Sequence, residues 1–194
     1  MRKAYKSPAL LKVGGGRMKL RIIGPSGSGK TYLAEALSGR LGIPAYDLDG
    51  ILWDNSGMRS GIKRDAAERD ALFSGLVGRD DWIIEGVQYS WTWRSFSDAD
   101  RIILLDPPRL LCRIRIVRRF LKRKLRRSSR RNESLDSLVK LLKWTGKFYR
   151  VNLPEIREAL EPYSQKTIEL KTKKEIRAFL VRAKEEKWPQ ARNT

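Results

Sequence analysis

The sequence contains no histidine. That absence removes imidazole general bases, Ser-His nucleophile pairs and His-ligated zinc sites, and it leaves carboxylates, lysines and arginines to carry any chemistry. There is one cysteine, Cys112, so no internal disulfide can form, which fits a reducing compartment. Its apolar neighbours Leu110, Leu111 and Ile114 mark it as core filling rather than catalytic. No run reaches the roughly 18 unbroken apolar residues of a membrane helix, and the N-terminus has no apolar signal core. A cytoplasmic protein with no membrane partner is expected. Acidic residues are scarce: 22 Asp plus Glu stand against 42 Lys plus Arg, a formal charge of +20. Polyanions are therefore the natural partners, whether nucleotides, nucleic acids or acidic surfaces, and charge alone does not choose among them.

What is present is a chain of 194 residues, 41% of them apolar, enough for one domain with a sizeable core. Residues 1–17 carry Arg2, Lys3, Lys6, Lys12, Arg17, a proline and three consecutive glycines, with too little periodic apolar content to pack; a loose basic tail is expected. Because Gly14 to Arg17 stand directly before Met18, that methionine is also a candidate for the true start. From 18 to 194 short apolar runs alternate with helical ones, the pattern of parallel strands joined by crossover helices. The strands are expected at 20–23, 45–48, 82–84, 102–105 and 167–170. Helices are expected at 31–41, 63–77, 109 to about 127 and 135–149. The third of these carries an apolar stripe of Leu110, Ile114, Val117, Leu121 and Leu125. A last helix opens on the capping box formed by Thr172 and Glu175 and runs to about 187.

The chemistry-bearing motif is Gly24-Pro25-Ser26-Gly27-Ser28-Gly29-Lys30-Thr31, which satisfies G-x-x-x-x-G-K-[ST] between an expected strand and an expected amphipathic helix. The glycines let the backbone turn with its N–H groups toward a phosphate, and the helix N-terminus adds partial positive charge. Lys30 then reaches the β- and γ-phosphates of ATP, and the Thr31 hydroxyl holds Mg²⁺. A carboxylate is wanted at the end of a neighbouring strand. Glu85, closing Trp82-Ile83-Ile84, and Asp106, closing Ile102 to Leu105, are the two candidates, and Glu85 is preferred.

These blocks together resemble the adenylate-kinase-like P-loop kinases, and within them the DNA topology modulation proteins. The resemblance runs from about 18 to 144. It rests on 24–31, Leu48-Asp49 with Trp53, 82–86, Arg94, Ala99-Asp100, 102–109 and the arginines after Cys112. It implies an α/β P-loop NTPase fold like that of nucleoside monophosphate kinases: a five-stranded parallel sheet, helices on both faces, and an arginine-rich lid at about 113–132. It also implies that Glu85, where the family has Asp-Gly, orients Mg²⁺ and its waters. Val87-Gln88-Tyr89 replace the Phe-Pro-Arg of adenylate kinases, which departs from an adenylate acceptor. The acceptor is expected over about 49–94, with Asp49 hydrogen-bonding an acceptor hydroxyl or ammonium, and Trp53, Trp82, Trp91 and Trp93 as candidate stacking rings.

From Arg113 to Arg131 there are eleven Lys and Arg and no acid. By the same resemblance Arg115 and Arg119 are the lid residues that clamp the transferring phosphoryl group, with Arg127 a further nucleotide contact. The expected activity is Mg²⁺-dependent transfer of the γ-phosphate of ATP to a small acceptor. The alternative is a nucleotide-dependent regulator binding nucleic acid nonspecifically, because so basic a helix neutralises backbone phosphates while the chain offers no base-reading motif. No residue pattern points to an action on DNA topology.

Overall fold

The computed structural model describes residues 17–54, 61–125 and 134–185. Apart from Arg17, the expected tail lies outside the described residues. The chain begins with β1 (Lys19–Ile23), α1 (Lys30–Leu41), β2 (Ala45–Asp47) and a short α2 (Leu48–Leu52). A small antiparallel pair, β3 (Trp53–Asp54) and β4 (Ile62–Lys63), leads into α3 (Ala66–Val77), β5 (Trp82–Gly86), α4 (Trp93–Ser97) and β6 (Arg101–Leu105). Then follow α5 (Arg109–Leu125), α6 (Leu135–Lys147), a π-helical turn at Phe148–Asn152 and α7 (Leu153–Leu160). A 3₁₀ segment at Glu161–Lys166, β7 (Thr167–Leu170) and α8 (Lys173–Glu185) complete the described chain.

Five strands form one parallel sheet in the order β2-β5-β1-β6-β7. Both faces are covered, which is why its strands are nearly unbroken apolar runs rather than alternating ones. On one face Leu20, Ile22, Ile83, Ile103 and Leu105 pack against Leu33 and Leu37 of α1 and against Ile176, Phe179 and Leu180 of α8. On the other, Ile23, Ile84, Ile102 and Leu104 meet Phe73 and Val77 of α3, Phe96, Phe148 and Ile156. The expected α/β architecture is present, with all five strands where the apolar runs put them. Among the described residues no helix is long and apolar enough to cross a membrane.

Several element ends differ from expectation for local reasons. The second strand stops at Asp47 because that side chain caps α2, its Oδ1 accepting from the Asp49 amide at 2.9 Å. Helix α3 starts at 66, not 63, because Asp65 caps it, accepting from the Glu68 amide at 2.8 Å, while Ile62 and Lys63 pair with β3. The helix expected at 135–149 continues through the π-turn into α7. Pro154, at the start of α7, has no amide for the carbonyl four residues back, so the α-register breaks there.

The clearest correction concerns α5. Its buried side is Cys112, Ile116 and Phe120, at a spacing of four. Of the expected stripe, Leu110 is 68% exposed, Leu125 84%, and Ile114 and Leu121 about half, so these residues face away from the core. The inner side is dictated by the backbone of the glycine-rich turn, which lies against Cys112 and Ile116. The capping box of α8 forms as expected: Thr172 Oγ1 accepts from the Glu175 amide at 3.1 Å, and the Glu175 carboxylate accepts from the Thr172 amide at 3.3 Å and the Lys171 amide at 2.6 Å.

Candidate active site

The glycine-rich turn leaves the C-terminal end of β1, the central strand, between β5 and β6. In an open α/β sheet this is the switch point where ligands bind. Gly24, Gly27 and Gly29 all have positive φ. At Gly27 (φ +80°) a Cβ would stand 2.8 Å from the Cys112 carbonyl oxygen, so only glycine lets α5 lie this close. Lys30, Thr31 and Tyr32 open α1, and their amides belong to the first turn that has no intrahelical acceptor.

Lys30 is 9% exposed and donates its ammonium to the Pro25 carbonyl at 3.0 Å, the same carbonyl that accepts from the Ser28 amide at 3.2 Å. Burial pushes its pKa below the usual lysine value, opposed by the charges of Glu85, Asp49 and Asp47. Thr31 donates its hydroxyl to Glu85 Oε1 at 2.7 Å, and Glu85 is 4% exposed at the end of β5. The rival, Asp106, is engaged elsewhere: Arg157 bridges it at 2.7 Å and Glu169 at 2.6 Å. Among the described residues no group of three or more His, Cys, Asp or Glu could hold a metal. Mg²⁺ does not require one, since it keeps waters and phosphate oxygens and takes one or two protein oxygens. Thr31 and Glu85 are a hard-oxygen pair of that kind.

Across the sheet, Asp49 Oδ1 accepts from Gln88 Nε2 at 2.9 Å, so a residue of α2 and a residue just after β5 are locked together. Arg115 Nη1 donates to the carbonyls of Gly27 and Ser28 at 3.1 and 3.0 Å, bracing the turn from α5. Arg119, one turn further, joins Arg115, Arg118, Lys122 and Arg123 in lining an open basic groove. Arg127 lies outside the described residues. Pro25 and Ser26 complete the turn, and Ser28 is fully buried within it. Of the four tryptophans expected to stack, Trp82 is buried core and Trp91 is taken up by Phe73 and Arg69, so neither is a stacking surface; Trp53 and Trp93 are exposed.

Two residues of the site are not signalled by any motif. Arg21, in the middle of β1, is fully buried. Its Nη1 donates to Ile22 O at 2.6 Å and to Ile84 O and Gly86 O at 3.4 Å, and its Nη2 to Gln88 O at 2.6 Å. Burial pulls its pKa down to about 9, with Glu85 opposing, so it is charged at neutral pH. The guanidinium therefore fixes the backbone from which Gln88 reaches Asp49. The one signal for it is an arginine inside an otherwise apolar strand. Gln88 is the second; its partner Asp49 lies 39 residues away.

No family model matches the chain, including any for the narrower family it resembles, and no curated protein sequence matches it. Solved structures do. Shikimate kinase from Bacteroides thetaiotaomicron superposes with a TM-score of 0.51 at 14% identity, covering 87% of this chain and 97% of that one. Shikimate kinase from Acinetobacter baumannii, solved with shikimate, gives 0.49 at 19% identity, over 85% and 89% of the two chains. A gluconokinase from Sinorhizobium meliloti 1021 gives 0.48 at 18%, over 89% and 96%. At such identities the likeness is one of fold: this chain has the α/β fold of the P-loop kinases.

Proposed function

We propose that this chain is a Mg²⁺-dependent phosphotransferase that moves the γ-phosphoryl group of ATP to a small acceptor. The observation that carries it is the pairing of a complete G-x-x-x-x-G-K-[ST] turn, its Lys30 buried, with Glu85, whose carboxylate accepts from Thr31 at 2.7 Å. The fold shared with shikimate kinases and a gluconokinase supports it. Basic charge by itself supports nucleic-acid binding equally well, but it gives no reason for a Thr31–Glu85 pair.

In this reading the amides of the turn and the Lys30 ammonium hold the β- and γ-phosphates and offset charge as it spreads over the γ-oxygens. Thr31 and Glu85 would hold Mg²⁺, which would supply positive charge to offset that of the phosphates. Asp49 orients the acceptor O–H or N–H and takes its proton. The acceptor oxygen or nitrogen forms a bond to the γ-phosphorus as the bond to the β,γ-bridging oxygen breaks, and ADP departs with that electron pair. Arg115 keeps the turn in shape through Gly27 and Ser28, and Arg119 and Arg127 add positive charge from the lid side. Positioning and electrostatics supply the rate, with no covalent enzyme intermediate.

Nucleotide binding tests the first half of the proposal. Mg²⁺-ATP at about 100 times its Kd is expected to stabilise the protein by about 2.7 kcal/mol, read as a rise in melting temperature. No shift with any nucleoside triphosphate contradicts it.

A further inference from the structure

Helix α5 has two apolar sides, and the fold buries one of them. Cys112, Ile116 and Phe120 are buried, the first two against the glycine-rich turn. Leu110, Ile114, Val117, Leu121 and Leu125 recur at spacings of four, three, four and four. At 3.6 residues per turn they form a second stripe, about 140° round the helix from the first and about 22 Å long. Ile114 is 46% exposed and Leu121 50%, between the still more exposed Leu110 and Leu125, while Val117 is partly buried. Helix α6, packed against α5, adds exposed Leu135 and Val139 one turn apart. Exposed apolar patches of this extent, edged by polar residues, mark contact surfaces.

The edges of the stripe are cationic. The same helical geometry puts exposed Arg113 and Lys124 along one edge and exposed Arg118 and Lys122 along the other. No Asp or Glu occurs from 109 to 125. Long basic side chains lay their methylenes on apolar surface and carry the charge beyond it. A ridge of Leu and Ile between two rows of cations therefore matches a surface that is apolar within and anionic at its rim. Arg115 is turned the other way, its Nη1 on the Gly27 and Ser28 carbonyls, so covering the stripe leaves the turn in place.

Other occupants match less of this face. Nucleic acid takes up the cations but gives the aliphatic stripe no role. A second copy of the chain brings another formal charge of +20 to a cationic helix. The segment that follows α5, residues 126–133, reads RRSSRRNE, which is basic and has no apolar side chain to lay on the stripe. We infer that α5 docks this protein on an anionic bilayer surface. Leu110, Ile114, Leu121 and Leu125 enter the interface, and the cations on both edges meet the lipid phosphates and carboxylates. The contact lies in the plane of the interface, so it needs no spanning helix. It goes beyond the kinase reading and does not depend on it.

The test is co-sedimentation of the full chain with vesicles of phosphatidylcholine alone, and of phosphatidylcholine with about one-third phosphatidylserine. Binding to the anionic vesicles is expected to be about tenfold tighter or more, and to weaken as salt rises. The double variant Ile114→Ser, Leu121→Ser keeps every charge and is expected to bind about tenfold more weakly. Arg113→Gln with Lys124→Gln should do the same while keeping the stripe. All four positions are exposed, so both proteins should melt as the wild type does. Absence of binding to anionic vesicles overturns the inference, and with binding to random-sequence duplex DNA in its place the helix is assigned to nucleic acid. Wild-type affinity in the Ile114→Ser, Leu121→Ser protein also overturns it, since the contact is then purely electrostatic or made by another part of the chain.

Discussion

The Glu85 carboxylate is the residue whose replacement separates charge from geometry. In Glu85→Gln the side chain keeps an oxygen that accepts from Thr31, so the hydrogen bond now measured at 2.7 Å survives while the negative charge is lost. ADP formation is expected to fall about 10- to 100-fold, with a higher half-saturating Mg²⁺ concentration, as is usual for groups that orient a metal and its ligands. A Mg²⁺ titration of the variant checks this, and an unchanged Mg²⁺ dependence would exclude Glu85 from the metal side. Lys30, Thr31 and Glu85 were legible because each sits at a fixed offset in a motif or at the end of an apolar strand. Arg21 and Gln88 were not. Their roles arise only when β1 and β5 lie side by side, which brings Arg21 to the Gly86 and Gln88 carbonyls across more than sixty residues of chain. No local pattern records such a pairing.

Among the elements, α8 offers the simplest check that local sequence rules act here as the structure describes. Its cap depends on Thr172, and Thr172→Ala is expected to cost about 1 kcal/mol, seen as a lower urea midpoint with an unchanged slope. The Lys171 amide, ahead of Thr172, holds Glu175 below its ordinary value of 4.5. A lowered carboxyl pKa contributes stability that is complete above the unfolded value and is lost as the pH falls through the folded one. The part of the cap owed to Glu175 should therefore be present in melts above pH 4.5 and decline below it. Helix α5 shows the limit of the same kind of reading. It carries two apolar series, Leu110-Ile114-Val117-Leu121-Leu125 and Cys112-Ile116-Phe120, and periodicity favours the longer. The shorter is buried because α5 must lie against Gly27 and reach the turn's carbonyls with Arg115. That demand comes from the glycine-rich turn, some 85 residues earlier, so the helix alone could not reveal it.

At the scale of the whole molecule, the parallel sheet follows from the alternation of apolar runs and helices, and the five strands were placed correctly because a doubly covered parallel sheet leaves few other uses for such runs, whereas their order was not legible in the sequence. The net charge of +20 is a less direct guide. Many of its members serve inside the fold: Arg21 supports the floor of the acceptor side, Arg64 staples α2 to α3, and Arg157 joins β6 to β7. Arg115, Arg118, Arg119, Lys122 and Arg123 of α5 line a basic groove, and Lys30 sits at the glycine-rich turn. Phosphoryl transfer in this protein is expected to depend on Lys30. Its most direct test is ADP formation from Mg²⁺-ATP by the wild-type chain and by Lys30→Ala, with circular dichroism to verify the fold. The expected result is a loss on the order of 10³-fold or more with an unaltered spectrum. Equal turnover by the two proteins would contradict it.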